Sequence, residues 1–168
     1  MGINLGMTRL YGWGERSARI YEYVPDVRFE RTSVIATIRL TGVNAPISFR
    51  GATNGDVFKA YVEQALVPTL KEGDIVVMDN LSSHKVNGAL QPIYDRGATV
   101  LFLPPYSPDL NPIELAWSKI KAILRKLKAR THEELEIALC HALDAVTLSD
   151  IKNWFVHNGY FFMPNMSM

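Results

Sequence analysis

Two short, almost wholly apolar runs restrict what this chain can fold into. They are Asp74-Ile-Val-Val-Met-Asp79 and Ala98-Thr-Val-Leu-Phe-Leu103. Neither run alternates polar with apolar residues, and each is bounded by loop-forming residues. Such runs suit strands of a sheet covered on both faces. Between them, residues 84–95 read as a helix, closed off by Gly97.

The remaining segments complete the pattern. Residues 1–18 are glycine-rich and loop-like, with Gly12-Trp-Gly14 as a turn. Residues 32–40 are rich in β-branched side chains and read as a strand. Thr41-Gly-Val-Asn44 is turn chemistry, and 45–50 reads as the hairpin partner. Asn54 is placed to cap a helix carrying Val57, Phe58, Tyr61, Val62, Ala65 and Leu66 at helical spacing. The stretch 104–112 holds Pro104, Pro105, Pro108 and Pro112 and forms a stiff loop. Asn111 as N-cap and Pro112 in the first turn then open a helix expected to reach about 129. Thr131 and Glu134 form a capping box for a further helix, to about 146. A last short helix begins near Leu148 and covers Trp154 and Phe155. Hairpin, helix, strand, helix, strand, helices: this order predicts an α/β fold, a mixed sheet flanked by helices on both faces.

Bulk properties set outer limits. With 168 residues, 1–168 reads as a single domain able to bury a real core. Half-apolar, one-fifth-charged composition excludes a disordered chain. The net charge of +1 says little about partners, but its distribution says more. Lys119, Lys121, Arg125, Lys126, Lys128 and Arg130 follow one another with no acid between them. The run is either a DNA-phosphate-binding face or a solvated helix face. Cys140, the single cysteine, excludes an internal disulfide and reads as a buried core thiol. The apolar runs are too short to span a bilayer, and the first residues lack the regions of a signal peptide. Met1-Gly2 begins a myristoylation pattern, but Gly6 stands where Ser or Thr is wanted. The expectation is a soluble, cytoplasmic protein without membrane partners.

Two carboxylates carry the chemistry. Asp79 closes the first apolar run, so its side chain should project at a strand's C-terminal edge, where open α/β sheets bind ligands. Glu114 falls in the first turn of the helix after the proline loop, where the macrodipole favours negative charge. Each has a plainer reading, Asp79 as a turn residue and Glu114 as a dipole-stabilising acid. Against these stands the loop, whose prolines fix the helix start relative to the strand end, as shared metal ions require. Two Mg²⁺ ions about 3.5–4 Å apart clamp the attacking and leaving oxygens of a phosphoryl displacement. Asn80 is a candidate orienting amide, Asp109 a turn stabiliser, and Ser82 and Ser83 candidate caps. His84 reads as a capping or surface residue, and Trp117 as core packing that fixes the helix of Glu114. Tyr106 is open between core and DNA-facing roles.

The words Val77-Met-Asp79-Asn-Leu-Ser-Ser-His84 and Leu103-Pro-Pro-Tyr-Ser-Pro-Asp-Leu-Asn-Pro-Ile-Glu114-Leu-Ala-Trp117-Ser-Lys-Ile-Lys121 resemble the transposases of bacterial insertion sequences related to mariner. The 34 residues at 80–113, between the two acids, fit that resemblance. Gly2-Ile-Asn-Leu5 and the Gly12-Trp-Gly14 turn extend it over nearly the whole chain. The resemblance implies a ribonuclease-H-like fold and a three-carboxylate site, with Asp79 second and Glu114 third. It implies bound Mg²⁺ or Mn²⁺, and DNA, as transposon ends and target, as the partner. It raises Asn80, His84 and Asn111 to supporting roles around the two acids, and implies phosphodiester hydrolysis and strand transfer.

By the same resemblance, the first aspartate and the strand it ends should fall immediately before Gly2. The expectation is a catalytic domain incomplete at its N-terminus, with its first strand missing and inactive alone. Asp26, before the hairpin, and Asp56, in a helix's first turn, are not credible replacements. Two rivals follow. One is a non-catalytic fragment that binds DNA, pairs as a homodimer or joins a full-length transposase. The other is a general nuclease of the same fold.

Overall fold

The computed structural model describes residues 1–25 and 29–161. Asp26 lies outside the described residues. In chain order the elements are β1 (Gly2–Ile3), β2 (Thr32–Arg39), β3 (Gly42–Arg50), α1 (Gly55–Tyr61), β4 (Ile75–Met78), α2 (Gln91–Asp95), β5 (Thr99–Phe102), α3 (Ile113–Leu127), α4 (His132–Asp144) and α5 (Leu148–His157). A π-helical turn at Val62–Leu66 and a 3-10 turn at Val67–Thr69 extend α1.

β1, β2 and β3 pair antiparallel in that order, and β4 pairs parallel with β5. β2 divides the interior because successive side chains point to opposite faces. Val34 and Ala36 join Ile3 and Leu5 under α3 and α4, against Trp117, Ile120, Leu124, Leu135 and Leu139. Ile35 packs the other way, with Ile47, onto a second core of Phe58, Val62, Leu66, Val76, Met78 and Ile93. Helices therefore cover both faces of the hairpin sheet.

Several expectations need correction. β4 and β5 are not covered on both faces: Ile75 and Leu101 are 66% and 55% exposed. α1 and α2 cover one side of this pair, while α3 and α4 pack on β1 and β2 instead. The single helix at 84–95 is instead a 3-10 turn at Ser82–Lys85 and the separate α2. Val86 is extended, Gly88 takes φ +76°, and Pro92 suits only the start of a new helix. The turn packs tightly on α1, where a Cβ on Gly55 would stand 2.2 Å from Val86 Cγ2. Ser82 and Ser83 make no cap; the turn has no side-chain cap bond. Nor does the Asn111 side chain cap α3: Asn111 is extended, its N–H donates to Pro108 O, and its carbonyl accepts from Glu114 N at 3.0 Å. α3 stops at Leu127, with Lys128 in the left-handed region at φ +55°. Cys140 is exposed. The inward face of α4 is Leu135, Ala138, Leu139 and Ala142, and Cys140 points away from it.

The helix caps at the other sites follow the sequence. Asn54 accepts from Val57 N at 2.8 Å, with Asp56 in the first turn of α1. Thr131 with Glu134 and Thr147 with Asp150 are complete capping boxes. Asp150 also accepts from Lys119 Nζ at 2.5 Å, tying α5 to α3. The Lys119 ammonium, then the hydroxyl and backbone N–H of Thr147, hold its carboxyl down to about 2. A depressed carboxyl stabilises the fold above its unfolded pKa, and this contribution is lost as pH falls through the folded value. Asp150→Asn should therefore lower stability at pH 7 by about 1 kcal/mol, the usual scale of a lost cap interaction. Wild type and variant should converge in urea unfolding between about pH 4 and pH 2. A gap unchanged at pH 2 would show that the charge of Asp150 contributes nothing. Among the described residues, no helix is long and apolar enough to cross a membrane.

Candidate active site

The site forms where β4, β5 and α3 meet. β4 ends at Met78, and Leu103 N still donates to Met78 O at 2.9 Å, continuing the parallel ladder past β5. Asp79 and the proline loop therefore leave the sheet side by side. The loop is pinned from outside: Asn158 Nδ2 donates to Asp109 O, and Tyr160 Oη donates to Leu110 O at 3.0 Å. Its end delivers Glu114 to an exposed position in the first turn of α3, where the helix dipole favours negative charge.

Asp79 and Glu114 line one open cleft of about 510 Å³, together with Asn80, Lys85, Tyr106 and Asn111. The Met1 nitrogen loses proton affinity mainly through burial and then through Lys121 and Arg31, while Glu114 and Asp79 both act on it in the opposite sense. Among the described residues, no third His, Cys, Asp or Glu completes a metal-sized cluster with them.

His84 holds Asp79. Its Nδ1 lies 2.9 Å from Asp79 Oδ1 and 3.3 Å from the Asp79 carbonyl. Phe58 of α1 supports the imidazole from below, ring centroids 4.3 Å apart. Leu81 N also faces Asp79 Oδ1, at 3.4 Å. Asn80 has its side-chain oxygen buried with no hydrogen-bond partner. The Asp79 and Glu114 carboxylates and the Asn80 side chain line one cleft and offer oxygen donors, the kind a hard cation such as Mg²⁺ or Mn²⁺ takes. The residues present thus fit a divalent ion at Asp79 and Glu114. Asn111 reaches the cleft wall, and Tyr106 stands on its rim, fully exposed, at φ +56°.

The cations of the basic run have different surroundings. Lys119 is engaged by Asp150 and Lys128 by Glu22. Arg130 Nη1 donates to Leu5 O at 2.8 Å and Met7 O at 3.2 Å. These three make contacts within the fold. Lys121 and Arg125, seven and eleven residues after Glu114, share its side of α3. Lys126 is exposed on another side. Trp117 is buried in the core under α3. Sequence reasoning missed Phe58 as the support for His84, Lys85 in the cleft, and Arg31 near the start of β1. Lys85 adjoins a motif already singled out, but a lone arginine before a strand carries no periodic signal.

A strand-end aspartate and a helix-start glutamate thus line one open cleft beside a stiff proline loop. The chain belongs to the DDE superfamily endonuclease family, whose model matches residues 1–136. No curated protein sequence matches it. Among solved structures, it is similar to the pre-cleavage Mos1 transpososome, with TM-score 0.69, 14% identity, 97% of this chain and 55% of that one. It is likewise similar to the mariner Mos1 paired-end complex with Mg, with TM-score 0.68, 16% identity, 96% of this chain and 55% of that one. A third similar structure is the Mos1 strand transfer complex, with TM-score 0.65, 17% identity, 97% of this chain and 54% of that one. The chain spans about half the length of these structures. At such identities the likeness is one of fold, and it shows the expected mixed α/β, ribonuclease-H-like architecture.

Proposed function

We propose that this chain is the catalytic domain of a DDE transposase, acting on DNA by metal-dependent phosphodiester hydrolysis and strand transfer at transposon ends. The observation that carries this reading is the shared cleft of Asp79 and Glu114 in a chain matched to the DDE endonuclease family. Mg²⁺ or Mn²⁺ held there would supply an activated oxygen nucleophile and offset charge gathering on the phosphodiester. Asp79 and Glu114 are the proposed ligands. His84 is a positioning residue that fixes the Asp79 carboxylate, and Phe58 fixes His84. Asn80 and Asn111 bound the cleft with amide groups able to orient water or a phosphate oxygen.

A second reading, DNA binding or pairing with a transposase without cleavage, is favoured by the donor count among the described residues. One experiment separates the two. A supercoiled plasmid carrying matched transposon ends is incubated with the protein in Mn²⁺, Mg²⁺ or EDTA. Nicking that needs the metal and is lost in Asp79→Ala supports the enzyme. Salt-sensitive binding with no nicking in any metal supports the binding module instead. Absence of both removes DNA as the substrate.

A further inference from the structure

A second concavity, of about 380 Å³, is lined by Gly2, Ile3, Asn4, Arg31 and Lys121. It contains two cations and no acid. Other cations of the chain are committed elsewhere: Arg39 to Asp74, Lys119 to Asp150, Lys128 to Glu22, and Arg130 to backbone carbonyls. Among the described residues, Arg31 and Lys121 have no such carboxylate partner. Two unpaired cations held in one hollow call for an anionic ligand.

The geometry around them is specific. Arg31 immediately precedes β2, and Gly2 pairs with Ser33 across the strands. The Arg31 side chain lies against Gly2, where a Cβ would stand 2.5 Å from Nε and 2.8 Å from Cζ. Glycine at this position is what leaves room for the guanidinium over the β1 backbone. Lys121 comes from α3, two helical turns beyond Glu114 and on the same side of the helix. Glu114 lines the carboxylate cleft and Lys121 lines the hollow, about 10 Å apart along the same side of α3, so the two sites adjoin.

We propose that Arg31 and Lys121 form a phosphate subsite that grips a backbone phosphodiester of the same DNA strand that enters the Asp79–Glu114 cleft. The planar guanidinium offers two parallel N–H donors to a phosphate, and the ammonium adds a second point charge in the same hollow. This rests on the reading of DNA as the substrate. It adds a named contact that sets where along the strand the scissile bond falls.

The test reads fluorescence anisotropy of a labelled DNA duplex in EDTA, so that binding is seen without cleavage, over a range of salt. Arg31→Gln and Lys121→Gln should each weaken binding about five- to tenfold near 0.1 M salt and reduce the salt slope by about 0.9. Lys152→Gln, on α5 outside the hollow, should leave the slope unchanged. Gly2→Ala keeps every charge but displaces the guanidinium, a flexible side-chain end, so it should weaken binding several-fold while thermal stability stays as in wild type. Wild type that binds, with slopes unaltered in both cation variants, overturns the subsite alone. An equal slope loss in Lys152→Gln also overturns it, because the charge effect is then diffuse. Wild type that does not bind DNA at all overturns the DNA reading and the subsite with it. Inorganic phosphate is the control for a free-anion pocket. If it binds in an Arg31-dependent way while DNA binding is independent of Arg31, the strand contact is refuted.

Discussion

Asp79→Asn and Glu114→Gln are each expected to abolish the thermal stabilisation that Mn²⁺ confers on the protein. Both substitutions keep side-chain size and remove one negative oxygen donor. A ligand that binds only the folded state stabilises it by about 2.7 kcal/mol at a hundred times its dissociation constant. For a domain of this size that is a rise of roughly 5–10 °C in Tm. Either substitution should shrink the rise to within error, because a two-carboxylate site loses half its protein charge at once. Differential scanning fluorimetry with and without Mn²⁺ gives the answer, and it needs no catalytic turnover. A full Mn²⁺ shift retained in both variants would place the metal elsewhere. His84→Ala separates positioning from ligation: it should reduce the shift without removing it, since Asp79 keeps its charge but loses its 2.9 Å partner.

Much of the scaffold around this site was legible because it is written in local chemistry. The boxes Thr131–Glu134 and Thr147–Asp150 are four-residue signals, complete within one helical turn. Asn54 is equally local, as is the hairpin, although its turn is Leu40-Thr41 and β3 starts at Gly42, three residues before the expected 45. The acidic pair was legible for another reason: Asp79 follows an apolar run and Glu114 follows a stiff loop, so each position is set by its own neighbourhood.

What escaped depends on tertiary placement. The apolar character of Ile75 and Leu101 predicts a covering layer, but a run cannot report where the helices that cover it will dock. Cys140 lies in an apolar helix, and only the docking of Leu135 and Leu139 decides which side faces inward. Val86 and Gly88 interrupt a stretch whose composition is compatible with helix, and the close fit of Val86 on Gly55 is a contact 31 positions away. The partners of the basic run were hidden in the same way. Its charges are adjacent in sequence, yet Asp150, Glu22 and the carbonyls of Leu5 and Met7 draw three of the six into the fold.

Trp117→Ala should be the most damaging single change outside the cleft, and it links the core to the chemistry. Trp117 is 8% exposed and sits among Ile120, Leu124, Val34 and Ala138 at the junction of α3 with the hairpin sheet and α4. Truncating a buried tryptophan removes its transfer energy and leaves a cavity, together about 3–5 kcal/mol. That is a large share of the 5–15 kcal/mol holding a typical domain together, and corresponds to a drop of roughly 6–20 °C in Tm. The site consequence follows from position. Glu114 is one turn before Trp117, and nothing caps that helix start with a side chain. Its placement relies on the core anchor below and the pinned proline loop above. The variant should therefore lose much of the Mn²⁺ response even at temperatures where circular dichroism shows it folded. Trp117→Phe, which refills most of the volume, should recover both stability and metal response. Ser118→Ala, on the exposed side of the same turn, should change neither. If Trp117→Ala melts within 3 °C of wild type and responds fully to Mn²⁺, the core anchor is not what positions Glu114, and the proline loop alone must do so.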